Sequence, residues 1–444
     1  MSRQKNLLSL SQVVMFGLAY MTPIIVLGTF GVLAMVTSGA VSGAYAVALL
    51  AMLFTAHSYG RMACAYPVAG SAYAYVRHAI DERLGFIAGW AIILDYLFLP
   101  MVIWLIGAAY LNSAFPAIPV AAWLIAFIIV TTLINIVGLR LASAINGVMM
   151  LIQMLVIVAF VALAIRYIVG DVSQPLFSLV PFTGMGEASG TLPMLMAGAA
   201  IACYSFLGFD AVTTLTEETR DPQRTLPRAI LLITLIGGLI FVVVSYFVQL
   251  AAPGGVFENP DAAAYEIARN IGGDLFVSIF LIGLVVGQFA SGIAAQASGA
   301  RLLYAMGRDG LLPKRLLGQL GRYGTPVGGL VLSGMVALLA LTMDVLSAAS
   351  FINFGAFVAF ALVNIAVMAH YYVREKRRGL HGAVFFLLFP LIGLFAIVWL
   401  MVSLDARALL LGGVWLAIGM LWLCWLTRGF RQPMPELASL TAAQ

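Results

Sequence analysis

Long apolar runs, separated by short breaks that contain charged residues, glycine or proline, dominate the hydrophobicity pattern of this chain. A helix that crosses a bilayer needs about 20 mostly apolar residues. The pattern predicts twelve spans, numbered in chain order: 11–36, 42–63, 85–114, 119–138, 143–168, 190–217, 227–251, 272–306, 326–344, 348–373, 382–403 and 407–427. The first ten residues precede no small-residue cleavage site, so we interpret them as a cytoplasmic lead-in to span 1.

In this predicted arrangement most basic residues lie on one side of the membrane. With both termini in the cytoplasm, 20 of the 23 Lys and Arg residues, Arg140 among them, fall on the cytoplasmic side, and only Arg166, Arg269 and Arg407 fall outside. Cytoplasmic loops of membrane proteins carry an excess of Lys and Arg. The sorting therefore predicts a multi-pass protein of the plasma membrane with cytoplasmic N and C termini, and an odd number of spans would spoil it.

Composition narrows the class of protein further. Hydrophobic residues make up 63% of the chain and charged residues 9%, which is far from the usage of soluble globular domains. Cys64, Cys203 and Cys424 are too far apart to indicate a disulfide framework or a zinc site, and the histidines show no metal spacing. Because no nucleotide-binding loop or catalytic constellation is recognisable, we expect neither an enzyme nor a cofactor, and no nucleic acid partner.

Spans 1 and 6 share an unusual feature, which is a run of helix-breaking residues inside an apolar segment. Span 1 contains Pro23 and Gly28 in "LAYMTPIIVLGTFG" (18–31), and span 6 contains Gly208 in "YSFLGFDA". Broken helices at corresponding positions of two repeats indicate a transporter that binds its substrate between them at mid-membrane. Unwound backbone in a bilayer persists only where it lines a cavity or is buried in protein. Close helix packing is the alternative explanation for such residues.

Two carboxylates, Asp95 and Asp210, fall at membrane depth, and the pattern puts no Lys or Arg at a similar depth. An ionised Asp in lipid is costly, so we expect these side chains to face the bundle interior and to bind an arriving cation or proton. Capping of a broken helix is the structural alternative. Glu217 and Glu218 fall near the cytoplasmic end of span 6, where they form a gate or a solvated helix end.

Aromatic side chains near the two breaks would line the predicted substrate site, where their rings can stack on a cationic or aliphatic ligand. We call the predicted substrate-binding residues the cradle: Tyr20, Thr22, Gly28, Asp95, Tyr96, Tyr204, Ser205, Phe206, Gly208, Phe209 and Asp210.

Specific motifs give the chain a family resemblance over nearly its whole length. They include "VVMFGLAYMTP" (13–23), "PVAGSAYAYV" (67–76), "GFIAGWAIILDYLFLPM" (85–101), "YSFLGFDAVTTLTEET" (204–219) and "RLLYAMGRDGLLPK" (301–314). With these motifs the chain resembles the amino acid/polyamine/organocation permease superfamily, and within it the bacterial putrescine importers. The resemblance implies an all-α fold of two inverted five-helix repeats, 11–168 and 190–373, followed by spans 11 and 12 in 382–427 and a cytoplasmic tail, 428–444. It also implies substrate bound at broken spans 1 and 6 and uptake driven by a cation gradient.

One departure from the family pattern concerns the substrate. Putrescine importers carry an aspartate before the "TFG" of span 1, where this chain has Gly28. A diamine needs accepting partners at both ends, whereas amino acid permeases of the superfamily offer backbone N–H groups of span 1 to a substrate carboxylate, a role that suits Gly28. Three alternatives follow: an importer of a polyamine such as putrescine, an amino acid permease, or a solute sensor that does not transport. For the sensor, the tail after span 12 is too short to be a signalling domain.

The sequence also does not decide whether the coupling ion is a proton or sodium. Span 5 lacks the buried lysine that replaces sodium in proton-coupled relatives, and Ser291 of span 8 is a candidate ligand for a cation. We therefore expect a small amine or amino acid to be carried with a proton or sodium, with Asp95, Asp210 and Ser291 as coupling residues. The oligomeric state is not indicated.

Overall fold

The computed structural model describes residues 7–68, 70–137, 143–170, 175–185, 191–254, 257–308 and 310–432. Arg140 and the outer parts of both predicted terminal segments lie outside these ranges, and so does the side chain of Glu217. The α-helices run over Leu10–Met21, Ile25–Gly28, Phe30–Val36, Val41–Ala65, Ser71–Ala79, Glu82–Ala114, Val120–Val137, Ser143–Gly170, Val180–Thr183, Leu192–Ala202, Pro222–Ala251, Ala263–Arg308, Lys314–Leu317, Val327–Ala337, Val345–Val367, Leu380–Ala383, Phe389–Val402 and Ala406–Leu426.

Eleven helical segments within the described ranges are long and apolar enough to cross a membrane. They match all the predicted spans except span 9. That span is an α-helix, Val327–Ala337, which continues as 3-10 turns over Leu338–Thr342. It is apolar but shorter than the others. The chain is therefore a multi-pass, all-α membrane protein, as its hydrophobicity pattern predicts.

Span 3, Glu82–Ala114, lies at the centre of the molecule. Its most apolar stretch is entirely buried by protein, whereas only 17% of the corresponding stretch of span 12, Ala406–Leu426, is buried. Gly107 of span 3 faces the side chain of Gln288 on span 8. Small residues at such contacts let the helix backbones approach closely. Span 3 can therefore carry a polar side chain such as Asp95 without exposing it to lipid.

Two local features go beyond the predicted pattern. A short helix, Ser71–Ala79, lies between spans 2 and 3, where a cytoplasmic loop was expected. Gly85 and Gly89 at the start of span 3 leave room for Arg77 and Tyr73 of this helix, which packs against them. The helix of span 8 begins earlier than predicted, at Ala263, and is interrupted at Gly273, whose φ is +70°.

Candidate functional site

Span 1 is broken at Thr22. The helix Leu10–Met21 ends there because Thr22 adopts left-handed backbone angles, φ 50° and ψ 78°. Pro23 follows, and a proline disfavours the α conformation in the residue before it and has no N–H to donate. Thr22 is buried and its hydroxyl donates to the carbonyl of Ala19 at 3.2 Å. The predicted break in span 1 is thereby confirmed.

Span 6 is broken at Gly208. Its α-helix ends at Ala202 and continues as a 3-10 helix over Cys203–Phe206. Gly208 then has φ +109°, which a glycine adopts without strain. After it, a second 3-10 helix runs over Ala211–Glu218. The ring of Tyr20 from span 1 packs so closely on Gly208 that a Cβ there would overlap it. The two breaks are therefore in direct contact.

The two predicted carboxylates are both buried close to these breaks. Asp210 is 1% exposed and Asp95 is 5% exposed, and their carboxyl groups are near enough to interact electrostatically. The hydroxyl of Ser71 donates to Oδ2 of Asp210 at 3.3 Å. Oδ1 of Asp95 has no hydrogen-bond partner in the described part of the chain. Such an unmet buried acceptor is costly unless a ligand, water or proton satisfies it.

The aromatic and hydroxyl residues of the cradle divide into two groups. Tyr20, Tyr96 and Tyr204 lie within electrostatic range of Asp95. The other group supports the break in span 6. The ring of Phe206 packs on Phe241 with centroids 5.2 Å apart, and the hydroxyl of Ser205 bonds that of Tyr45 at 3.0 Å.

Phe209 belongs to the supporting group as well. The centroid of its ring lies 5.4 Å from that of Tyr59 and 5.3 Å from that of Phe360. Phe206, Phe209 and Ser205 are thus held by contacts with other side chains of the protein.

A cavity of about 710 Å³ leads from the breaks to the end of the bundle where Glu218 and Arg301 lie. Its volume is typical of sites for small molecules. Of the predicted site residues, Tyr20, Thr22, Ser291 and Glu218 line it. The carboxylates do not line the cavity, but Tyr20, which borders it, lies near both of them.

Gly28 lies beyond the break, inside the short helix Ile25–Gly28. Its N–H donates to the carbonyl of Ile24 at 3.4 Å, so the break does not free this donor. A Cβ at Gly28 would lie 3.5 Å from Nε2 of Gln288 and 3.2 Å from Ile106. Gln288 is fully buried, and neither its amide nitrogen nor its oxygen has a partner among the described residues.

Several residues of this site are not among those that the sequence predicts. Ser71 contacts Asp210 from 139 positions away, and the only sequence signal for it was the motif "PVAGSAYAYV". Gln153 and Gln288 were detectable as polar residues inside apolar spans 5 and 8. The part of the chain that the structure describes contains no cluster of His, Cys, Asp and Glu that could hold a metal ion.

Comparison with known proteins agrees with this architecture. A family model described as "Amino acid permease" matches residues 8–424. The low-affinity putrescine importer PlaP of Escherichia coli is 40% identical over 436 residues, which cover 97% of this chain and 96% of PlaP. The branched-chain amino acid permease BcaP of Bacillus subtilis is 29% identical, over 81% of this chain and 80% of BcaP. A methylthioribose transporter of the same species is 26% identical, over 85% of this chain and 83% of that protein.

The broken spans 1 and 6, the polar site between them and the match over nearly the whole chain all lead to one conclusion. This chain belongs to the amino acid permease family, and it is a membrane transporter of the class that carries amino acids or polyamines.

Proposed function

We propose that this protein imports a small polyamine such as putrescine by symport with a cation, most simply a proton. The observation that carries the proposal is the pair of buried carboxylates, Asp95 and Asp210. Neither has an ion-pair partner among the described residues. Two neighbouring negative charges in a low-dielectric interior repel each other strongly, and a substrate with two ammonium groups would neutralise both. Tyr20, Tyr96 and Tyr204 lie near Asp95, and they suit such a ligand because aromatic faces attract cations.

The carboxylates also support the proposed coupling. In the absence of a diamine, a proton is the smallest cation that can neutralise one of them, and Oδ1 of Asp95, which has no partner among the described residues, can accept it. Ser291 lines the cavity on span 8, where its hydroxyl is a second candidate for contact with the coupling ion. The relative PlaP, which is named as a putrescine importer, is consistent with this substrate class.

The experiment that tests the substrate is equilibrium binding of radiolabelled putrescine to the purified protein. We expect saturable binding that excess unlabelled putrescine displaces and that a neutral amino acid such as isoleucine does not. Displacement by isoleucine with no detectable putrescine site would contradict the polyamine proposal. That result would favour an amino acid permease over a polyamine importer.

The amino acid alternative has one specific observation in its favour. Nε2 of Gln288 is a buried donor without a partner among the described residues and lies beside Gly28, so it could meet a substrate carboxylate.

Gly28→Asp distinguishes the two substrates. A carboxylate placed there would repel an amino acid, by about 4 kcal/mol for unit charges roughly 4 Å apart at an effective dielectric constant of about 20. It would attract an ammonium group.

Gly28→Asn is the matched control, because it has nearly the same shape without the charge. The position is tight for either side chain, since Ile106 would be 3.2 Å from the new Cβ, and the comparison of the two variants cancels this steric cost. We expect Gly28→Asp to bind putrescine at least as well as Gly28→Asn does. Weaker putrescine binding by the Asp variant would contradict the polyamine proposal.

A further inference from the structure

A second pocket, of about 500 Å³, lies between the end of span 5 and the beginning of span 8. Both spans supply its lining, which comprises Leu163, Arg166, Tyr167, Gly170, Ile271 and Gly272. Arg301, near the other end of the long helix of span 8, belongs instead to the cavity that Tyr20 also lines. The second pocket is therefore separate from the proposed substrate site.

The pocket lies where the close packing of spans 5 and 8 ends. The ring centroid of Phe160 is 5.7 Å from that of Phe276 and 5.4 Å from that of Phe280. Towards the pocket, the helix of span 8 is interrupted at Gly273, where φ is +70° and ψ is −171°. Leu163 and the lining residues after it on span 5 follow Phe160 in the chain. The packed aromatic rings thus form a fixed base for the pocket.

Arg166 gives the pocket a positive charge that no described neighbour neutralises. Its side chain is exposed and makes no ion pair within the described ranges. Asp274, the acidic residue that follows the lining of span 8 most closely, pairs with Arg269 at 3.1 Å. Among the described residues that line the pocket, none is acidic. The pocket therefore favours an anion.

The position of Arg166 along span 5 fits the headgroup level of a bilayer. The helix ends at Gly170, so Arg166 is about 6 Å from its end at 1.5 Å per residue. Tyrosine is enriched at this level of membrane helices, and the long side chain of arginine places its charge among the headgroups there. Arg166 and its neighbour Tyr167 can thus both reach the phosphate of a lipid.

Exposed apolar side chains continue from the pocket along both spans. On span 8, Leu275, Ile279 and Ile282 follow the interruption at helical spacing and are exposed. On span 5, the exposed Leu155 precedes Arg166 by about three helical turns and so lies on the same face. A ligand with an anionic headgroup and acyl chains fits both the pocket and this apolar surface, whereas free phosphate fits only the pocket.

We propose that this pocket binds the phosphate of an anionic phospholipid such as phosphatidylglycerol. The guanidinium of Arg166 donates to the phosphate oxygens, because its planar fork matches their geometry, and the hydroxyl of Tyr167 is the second donor. The acyl chains lie along the exposed apolar face of span 8. A lipid held in this way contacts spans 5 and 8 together, so its binding stabilises the folded protein.

Binding of phosphatidylglycerol to the purified full-length protein tests the site. Native mass spectrometry of the detergent-solubilised protein gives the apparent affinity for phosphatidylglycerol and for phosphatidylcholine with the same acyl chains. We expect the parent to prefer phosphatidylglycerol and Arg166→Gln to weaken its binding about fivefold, the contribution of one basic residue next to anionic lipid. Arg166→Lys, which keeps the charge without the fork, should fall between the two.

Arg407→Gln is the matched control. Arg407 is also exposed and predicted on the outer side, but it does not line the pocket, so its loss should leave the affinity for phosphatidylglycerol unchanged. Equal affinities of Arg166→Gln and Arg407→Gln would overturn the site, and so would a parent that binds both lipids equally. Inorganic phosphate should not displace the lipid, and displacement by phosphate would contradict a phospholipid as the ligand.

Discussion

At the scale of single residues, the proposed substrate binding and coupling depend most on Asp95. It is buried on the central span, and one of its carboxylate oxygens lacks a partner within the described chain. Asp210 and four tyrosines lie within electrostatic range of it. In Asp95→Asn the shape is kept and the charge is lost. Removing one member of a buried charge pair costs about 2 kcal/mol or more, so we expect putrescine binding to weaken roughly thirtyfold and concentrative uptake to be lost.

The measurement is putrescine binding and uptake by Asp95→Asn, together with its elution on size exclusion as a check of folding. Full concentrative uptake by a folded Asp95→Asn protein would return this carboxylate to a structural role.

The residues of the site were predictable to different degrees for a physical reason. Asp95, Asp210 and Gly208 stand out because charge and a helix breaker are costly in an apolar helix. Ser71 does not stand out, since its bond to Asp210 exists only after distant segments pack. From the sequence alone Gln288 resembles a packing residue, and only the fold shows that both its amide atoms lack a partner among the described residues.

At the scale of elements, the break in span 6 depends on Gly208. An alanine there would hold left-handed angles at a cost of about 1–2 kcal/mol, and its Cβ would also overlap Tyr20. We expect Gly208→Ala to lower the midpoint of thermal unfolding and to abolish transport. Gly413→Ala is the matched control, because a Cβ at Gly413 meets nothing within 4 Å. Equal melting temperatures and equal transport in the two variants would contradict a role for this break.

The breaks could be anticipated from glycine and proline, but the conformation beyond them could not. The 3-10 helix over Ala211–Glu218 follows residues that are ordinary for a span, and it depends on threonine hydroxyls that donate to backbone carbonyls, such as Thr213 to Asp210 at 2.7 Å. The helix Ser71–Ala79 was missed because its sequence lacks the length of an apolar span. Its stability comes from packing on the start of span 3.

At the scale of the whole molecule, the predicted orientation in the membrane rests on the distribution of basic residues. We expect a cysteine introduced at Asn259, after span 7, to react with a membrane-impermeant maleimide in intact cells. A cysteine at Arg377, after span 10, should react only once the cells are opened. Both cysteines are introduced into a variant in which the native cysteines Cys64, Cys203 and Cys424 have been replaced. The reverse labelling pattern would overturn the predicted orientation.

The proposed transport depends on two buried carboxylates, Asp95 and Asp210, that bind a diamine and couple its movement to a cation gradient. The most direct test is uptake of radiolabelled putrescine into proteoliposomes that contain the purified protein, with and without an imposed proton gradient, acidic outside. We predict accumulation of putrescine above its external concentration that needs the gradient and is insensitive to excess isoleucine. Gradient-dependent accumulation of isoleucine in the same vesicles, with no accumulation of putrescine, would contradict the account.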